Sequence, residues 1–287
     1  MSPLAVRDAQ RCEGIVRAAA SGPVREVFVP AGTGALHALE FGRDTGQFPP
    51  LVCLHGVTGS AWLWHDVAQR LGKTRRVIAL DLRGHGESTW SQSHAYSTED
   101  HIADLETLVD SLDLPRFDLA GLSWGALIAI GYAARSPSRV RQLAVVDVEP
   151  SFERGEHEVE ARPACFPHRV AALNHERQAS PAAPDALLKI YAFHSVRPAG
   201  GGWARKHDPF FLSCWPFRRD NHWNALREIA CRTLFVHGER SFVRGAVMRQ
   251  MAESSQRGEF VEIAGSGHLV ALEAPAALSA VLAQFLD

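Results

Sequence analysis

The sequence predicts an α/β protein in which a mostly parallel, doubly wound sheet is interrupted by an insertion. Short apolar runs such as residues 51–54 alternate with helical patterns from residue 24 to residue 150, and uninterrupted apolar strands are typical of parallel sheets buried on both faces. Between residues 151 and 227 that alternation is lost, and aromatic residues are denser than the chain average of 8%. Strand patterns return at residues 233–236 and 260–263, so the core resumes after the insertion.

A chain of 287 residues with 46% apolar content can bury one large core. We therefore expect a single α/β core with one insertion, preceded by a short helix to which the sequence assigns no function. The boundaries are 1–22 for the N-terminal helical extension, 23–150 for the first part of the core, 151–227 for the insertion and 228–287 for the second part of the core.

Charge and composition exclude several classes of partner. A formal net charge of −2 and a pI near 6.7 leave no basic surface for nucleic acid or an anionic membrane, so a neutral or apolar small molecule is the expected partner. Charged residues occur within the first eight positions, and these positions lack the apolar core of a signal peptide. No later apolar run is long enough to span a bilayer, so we expect a cytoplasmic protein. The sequence leaves a homodimer open.

Cofactor and metal motifs are not found in the sequence. Its five cysteines contain no C-x-x-C pair, and the histidines of the insertion lack the spacing of a zinc site. Gly32-Thr33-Gly34 is followed by a strand pattern rather than a helix, which argues against a dinucleotide loop. Gly72-Lys73-Thr74 resembles the end of a phosphate-binding loop, but Val67 stands where the leading glycine is required. We therefore expect neither a cofactor nor a metal.

The first strands lead to a glycine-rich loop. Residues 24–30 and 35–41 are two β-rich runs separated by a hairpin signal, and the buried run 51–54 continues into His55-Gly56-Val57-Thr58-Gly59. A strand-to-helix loop of this kind offers backbone N–H groups to an anion. In an acyl-transfer enzyme that anion is the oxyanion of the reaction intermediate, and the N–H of Val57 is one candidate donor to it.

A single serine lies on a sharp turn between a predicted strand and a predicted helix. A strand pattern ends at Gly121, Ser123 follows, and Gly125 lies at the start of an apolar helix, which gives the pattern G-x-S-x-G. Small residues two positions before and after the serine let the backbone turn tightly, so that the serine Oγ is exposed at the carboxyl end of a strand. Ser123 is therefore the candidate nucleophile, and the N–H of Trp124 is the second candidate donor to an oxyanion.

Three motifs in this order and spacing resemble the α/β-hydrolase family. They are H-G-x-x-G at residues 55–59, D-x-R-G-H-G-x-S at residues 81–88 and G-x-S-x-G at residues 121–125. The resemblance covers the chain from residue 24 to the C-terminus, apart from the stretch after Pro150.

The resemblance implies roles for two further stretches. In the family the D-x-R-G-H-G-x-S segment is mainly structural, so Asp81, Arg83 and His85 are expected to hold loops together. An insertion at residues 151–227 is expected to be a helical cap over the active site. Aromatic side chains in such a cap would line an apolar pocket and exclude water.

The resemblance also implies a catalytic histidine and an acid. Gly265-Ser266-Gly267-His268 resembles the family loop that carries the histidine, so His268 is the expected base. Family members commonly have an aspartate three residues after the glycine of H-G-x-x-D, where this chain has Ser241. Other members, haloalkane dehalogenases among them, carry the acid at the end of the strand after the nucleophile helix, where Asp147 lies. Asp147 is therefore the preferred acid, with Glu149 and Glu239 as alternatives.

These residues predict a serine hydrolase that cleaves a carboxylic ester or lactone with an apolar or aromatic part through an acyl-enzyme. Carbon–carbon bond hydrolases, perhydrolases and cofactor-independent lyases of the family share the serine nucleophile and remain alternatives, because a fold does not fix a substrate. An aspartate nucleophile would have suggested epoxide or haloalkane chemistry, and Ser123 argues against both. A non-catalytic ligand-binding protein on the same fold is the alternative from another class, because Ser241 stands at the usual acid position.

Overall fold

The computed structural model describes residues 16–17, 24–152 and 162–287 of the chain. Most of the expected N-terminal helix, residues 1–22, lies outside these residues. Its described part, Val16–Arg17, is a short strand paired antiparallel with Val24–Ala31. The helical expectation is wrong at these two residues, because pairing with the neighbouring strand takes the place of helical hydrogen bonds.

The described residues form two sheets. Their strands are β1 (Val16–Arg17), β2 (Val24–Ala31), β3 (Gly34–Phe41), β4 (Leu51–Leu54), β5 (Val77–Asp81), β6 (Phe117–Leu122), β7 (Val140–Val146), β8 (Cys165–Phe166), β9 (Val196–Ala199), β10 (Gly202–Arg205), β11 (Arg232–Gly238) and β12 (Gly258–Ile263). The large sheet has the order β1-β2-β3-β5-β4-β6-β7-β11-β12, and the small sheet has the order β8-β10-β9. From β5 to β12 every neighbouring pair of the large sheet is parallel.

Helices connect the parallel strands, as the alternating pattern predicts. They are α1 (His65–Leu71), α2 (Thr98–Ser111), α3 (Trp124–Arg135), α4 (Arg169–Ala179), α5 (Asp185–His194), α6 (Trp223–Glu228), α7 (Gly245–Ser254), α8 (Val270–Glu273) and α9 (Pro275–Leu286). Short 3₁₀ helices lie at Ala61–Trp64, Pro209–Leu212 and Pro216–Arg219. None of the helices within the described ranges is long and apolar enough to cross a membrane.

The large sheet separates two apolar cores. Alternate residues of β4 point to opposite faces, so Val52 and Leu54 pack in one core while Leu51 and Cys53 pack in the other. All four side chains are fully buried. This arrangement explains why the strand is apolar at every position, and it confirms the predicted α/β fold with a mostly parallel sheet covered on both sides.

The described part of the insertion is less helical than expected. Helices α4, α5 and α6 accompany the small antiparallel sheet, which the sequence did not predict because its strands have only two to four residues. Gly200 and Gly201 have φ of 55° and 82° and form the turn between β9 and β10. Ser151 and Asn221 form an isolated antiparallel bridge that closes the insertion at its base.

Candidate active site

The strand order brings three loops together at one edge of the sheet. β6 lies between β4 and β7, and all three are parallel. The loop His55–Gly59 follows β4, Ser123 follows β6 and Asp147 follows β7. Because parallel strands end at the same edge, the predicted oxyanion loop and the predicted acid lie on either side of the predicted nucleophile.

Ser123 occupies a strained turn between β6 and α3. Its φ is 55° and its ψ is −124°, a conformation that residues other than glycine rarely adopt. The turn is packed too tightly for side chains at its glycines. A Cβ on Gly121 would lie 2.3 Å from the carbonyl oxygen of Gly125, and a Cβ on Gly125 would lie 2.5 Å from that of Leu54. The G-x-S-x-G pattern therefore reflects close approach of backbone to backbone.

The two predicted oxyanion donors lie on either side of Ser123. Trp124 is the first residue of α3, so its N–H has no carbonyl partner one turn earlier in the helix. Val57 lines the same cavity as Ser123, and its loop approaches the serine so closely that a Cβ on Gly56 would lie 2.9 Å from the Ser123 Cβ.

Two buried histidines hold the predicted oxyanion loop in place. His55 Nδ1 donates to the Gly56 carbonyl at 2.7 Å, while its Nε2 accepts the Leu82 N–H at 3.0 Å. His85 Nε2 accepts the Thr58 N–H at 3.1 Å. Burial lowers the pKa of His55 to about 4 and lowers that of His85 well below its usual value, so both rings are neutral near pH 7.

The other residues of the D-x-R-G-H-G-x-S segment also bind loops. Asp81 accepts the N–H groups of Ala61 at 2.6 Å and Glu87 at 3.0 Å. Arg83 donates from Nε to Asp104 in α2 at 2.9 Å. These contacts confirm the expected structural role of the segment.

His268 is hydrogen-bonded to Asp147. The distance from His268 Nδ1 to Asp147 Oδ2 is 2.7 Å, and His268 lies on the loop after β12. A carboxylate only accepts hydrogen bonds, so Nδ1 carries the proton and Nε2 is left as an acceptor. His268 and Ser123 line the same cavity, and the preferred acid, the base and the nucleophile therefore meet at one place.

Asp147 is fully buried and its carboxylate is held from three directions. Its Oδ1 accepts the Gly238 N–H at 2.9 Å, and its Oδ2 accepts the Ser241 hydroxyl at 2.5 Å in addition to His268. Its φ of 50° turns the chain directly after β7. Three donors compensate the desolvation of the carboxylate and fix its orientation.

The two alternative acids are bound to other groups. Glu149 is buried and accepts both the backbone N–H and the guanidinium of Arg244, at 3.0 Å and 2.6 Å. Glu239 is exposed and accepts the Gly265 N–H at 2.7 Å. The geometry thus favours Asp147 over both residues as the partner of His268.

A cavity of about 740 Å³ lies above Ser123. One of its walls, which we call the aromatic side, consists of Val148, Phe152, Trp215, Phe217 and Val243. The Phe217 ring lies 5.4 Å from that of Phe152 and 5.5 Å from that of Trp215, between centroids. Other aromatic residues of the insertion do not line this wall. Phe166 and Trp203, for example, belong to a separate small apolar cluster.

The described residues contain no cluster of three or more histidine, cysteine, aspartate or glutamate side chains arranged to hold a metal ion.

A family model for the α/β-hydrolase fold matches residues 49–275, which include the predicted oxyanion loop, Ser123, Asp147 and His268. The chain belongs to the α/β-hydrolase fold family.

Relatives of this α/β hydrolase include enzymes with different substrates. An esterase from Mycobacterium tuberculosis is 29% identical over 96% of this chain and 94% of its own length. A 2-hydroxy-6-oxo-2,4-heptadienoate hydrolase from Pseudomonas putida is 29% identical over 80% of this chain and 86% of its own length. The solved structure of the mycobacterial esterase superimposes with a TM-score of 0.77 and 25% identity, and covers 99% of this chain and 97% of that chain. The chain is therefore a hydrolase of this fold.

Sequence reasoning missed the role of Ser241 in this α/β hydrolase. From the sequence, Ser241 indicated only that the acid was lost or had moved. In the structure its hydroxyl donates to Asp147 and its Oγ accepts the Val243 N–H at 3.1 Å. The sequence signal that could have indicated this contact is the position of Ser241 in H-G-x-x-S. A residue at the usual acid position is expected to lie close to the histidine loop, and therefore close to any acid that binds the histidine. Ser241 therefore links the usual acid position to Asp147, the predicted acid.

Proposed function

We propose that this hydrolase cleaves a carboxylic ester or lactone with an apolar or aromatic part, through an acyl-enzyme on Ser123. The observation that carries the proposal is the 2.7 Å contact between His268 Nδ1 and Asp147 Oδ2, in a cavity that also contains Ser123. With Nδ1 protonated, Nε2 is the ring nitrogen that accepts the serine proton.

In the proposed reaction, Ser123, His268, Asp147 and the two oxyanion donors each have a defined role. Ser123 Oγ attacks the carbonyl carbon as His268 Nε2 takes its proton, and the N–H groups of Val57 and Trp124 stabilise the oxyanion. The imidazolium then protonates the leaving alcohol as the carbon–oxygen bond breaks. Water, deprotonated by His268, then attacks the acyl-enzyme. The imidazolium returns the proton to Ser123 Oγ as the bond between Oγ and the acyl carbon breaks, which releases the acid and restores the Ser123 hydroxyl. Asp147 stabilises the imidazolium in both halves of the reaction.

The aromatic side of the cavity supports an apolar or aromatic group on the substrate. Phe217 is almost fully buried, and Phe152 and Trp215 pack against the same core. A wall of this kind binds apolar surface by excluding water from it. The relationship to the mycobacterial esterase supports ester cleavage.

Carbon–carbon bond hydrolysis is the second candidate. It rests on the relative from Pseudomonas putida, which has the same identity to this chain as the esterase. The non-catalytic alternative loses its main support, because it depended on Ser241 in the place of an acid and Asp147 now contacts His268.

A substrate panel with matched variants tests the proposal. Wild-type enzyme is expected to hydrolyse para-nitrophenyl acetate and dihydrocoumarin, and Ser123→Ala and His268→Ala are each expected to lower kcat by about 10⁶, the loss found when a triad member is removed from a serine protease. Ser138→Ala is the control, because exposed Ser138 precedes β7 at the opposite edge of the sheet. Cleavage of a vinylogous diketone without cleavage of any ester would favour the second candidate, and full activity in Ser123→Ala would refute both.

A further inference from the structure

The cavity of this hydrolase has a polar side as well as an aromatic side. We call Thr58, Arg162, His175, Gln178 and Tyr191 its polar side. Tyr191 packs in the core on one face of the large sheet, whereas Val148 and Phe217 of the aromatic side pack in the core on the other face. The two sides are therefore separated by the sheet edge that carries Ser123.

Arg162 lies where the cavity meets a second one. It lines the 740 Å³ cavity and also a neighbouring cavity of about 480 Å³, which is bordered by Arg240, Phe242 and His268. Arg162 is half-buried, and its Nη1 donates to Thr58 Oγ1 at 3.2 Å. Thr58 is adjacent in sequence to Val57, so the guanidinium is anchored one residue from a predicted oxyanion donor.

The nearby carboxylates of the described residues are bound to other groups. Glu149 is paired with Arg244 at 2.6 Å, and Glu176 with buried Arg205 at 3.0 Å. Glu273 accepts the Gly267 N–H at 2.6 Å. Within residues 24–152 and 162–287, the hydrogen-bond partner of the Arg162 guanidinium is thus a neutral hydroxyl.

Two titratable groups near Arg162 in the described part of the chain, His207 and Tyr191, are neutral and do not balance its charge. Burial, together with the positive charges of Arg205 and Arg162, lowers the pKa of His207 to about 4, so this ring is neutral. Burial raises the pKa of Tyr191 to about 12, so its hydroxyl is neutral as well. A half-buried guanidinium with neutral neighbours attracts an anion into the cavity, because the low-dielectric walls strengthen its field.

We infer that Arg162 binds a carboxylate of the substrate, so that the preferred substrate is an ester with a free carboxylate in addition to its apolar part. The inference rests on the proposed function, and it replaces the neutral molecule expected from the net charge of the chain. A carboxylate suits this residue because the planar guanidinium donates two parallel hydrogen bonds to it. Since Arg162 is anchored beside the oxyanion loop, the carboxylate and the scissile carbonyl belong to one small molecule that fits a cavity of this size.

Two matched pairs of esters test this inference. Mono-para-nitrophenyl adipate and para-nitrophenyl hexanoate differ by a carboxylate on the acyl side, and para-acetoxybenzoate and para-tolyl acetate differ by one on the leaving-group side. In at least one pair, wild-type enzyme is expected to show a charged-to-neutral ratio of kcat/KM of about 10 to 100, the effect of one charge-assisted bidentate contact. Arg162→Met is expected to reduce that ratio to about 1, and Arg162→Lys to an intermediate value.

Arg240→Gln is the control for long-range charge, because exposed Arg240 borders only the second cavity of the two. It is expected to keep most of the ratio. A wild-type ratio near 1 in both pairs, or a ratio that Arg162→Met leaves unchanged, would overturn the inference while ester hydrolysis itself stands. If no ester is hydrolysed, the proposed function fails, and calorimetry with Ser123→Ala still decides the inference: para-acetoxybenzoate should bind, and adding Arg162→Met should abolish binding.

Discussion

Replacing Asp147 by asparagine should leave the fold intact and remove most of the activity. The Asp147 carboxylate accepts three hydrogen bonds, from His268 Nδ1, the Ser241 hydroxyl and the Gly238 N–H. An asparagine amide has one accepting oxygen and one donating nitrogen, so whichever way it is oriented it places a donor against at least one of these donors. If the amide nitrogen faces His268, Nδ1 must become the acceptor and the proton moves to Nε2. The ring can then no longer accept the proton of Ser123.

The size of the effect follows from the tautomer that the hydrogen bonds select. The same substitution in a serine protease lowers kcat about 10⁴-fold, which corresponds to about 5.5 kcal/mol of transition-state stabilisation. We expect a loss of about 10³ to 10⁴ in kcat here. Ser241→Ala removes one of the three donors and leaves the carboxylate in place, so its loss should be about tenfold.

The assay is steady-state hydrolysis of a chromogenic ester, with thermal unfolding to verify that each variant folds. Glu149→Gln and Glu239→Gln are the matched controls, because each removes a carboxylate near the same loops that binds a different group. Both should keep kcat within about tenfold of wild type. A larger loss at either glutamate than at Asp147, in variants that remain folded, would refute the assignment of the acid.

Three further predictions concern packing, pH and substrate size. Gly125→Ala places a Cβ 2.5 Å from the Leu54 carbonyl oxygen and should lower the free energy of unfolding by about 3 kcal/mol or more. Gly131→Ala in the same helix places a Cβ against the flexible end of the Ile102 side chain and should lower it by about 1 kcal/mol. Equal losses in chemical denaturation would contradict this. Burial lowers the pKa of His55 from 6.5 to about 4, so the unfolded state binds the extra proton and stability should fall between pH 6.5 and pH 4, by about 2 kcal/mol at pH 5 from this residue. A free energy of unfolding that is constant or rises on acidification would be inconsistent with a neutral buried ring. Trp215→Leu removes part of the aromatic side and should raise KM about tenfold for phenyl acetate while KM for ethyl acetate changes little. Equal changes in both would show that this wall does not contact the substrate.

The sequence predicted the parallel core and the loops at its edge because each depends on local backbone requirements. The strand β4 is apolar at every position, and the glycines around Ser123 are required by backbone contacts that any G-x-S-x-G turn must make. His268 was expected because Gly265-Ser266-Gly267-His268 resembles the family loop that carries the histidine. Each of these signals extends over only a few consecutive residues.

The sequence alone could reduce the candidates for the acid to Asp147, Glu149 and Glu239, but it could not decide among them. Asp147 and Glu149 follow the same strand, but their contacts differ: the chain turns at Asp147 directly after β7 with a φ of 50°, whereas Glu149 pairs with Arg244. Neither the backbone turn nor a partner 95 residues away is visible in the local pattern. The contact of Ser241 with Asp147 is equally long-range.

The insertion was the least predictable region. Its short strands do not extend over enough residues for an alternating pattern, so a small sheet was interpreted as part of a helical cap. Arg162 showed no signal because its significance depends on which acids lie near it and whether those acids are already paired. Such contacts come from tertiary packing rather than from periodicity.

The most direct test of the serine mechanism is to identify the residue that a fluorophosphonate probe modifies. Such probes react with a serine activated by a neighbouring base, as Ser123 is expected to be by His268. Intact-mass measurement should show one probe per chain, and peptide mapping should place it on Ser123 in the Gly121–Gly125 turn. Labelling should disappear in Ser123→Ala and slow strongly in His268→Ala and Asp147→Asn. Stoichiometric labelling of another residue, or an unlabelled chain that still hydrolyses esters, would contradict the account.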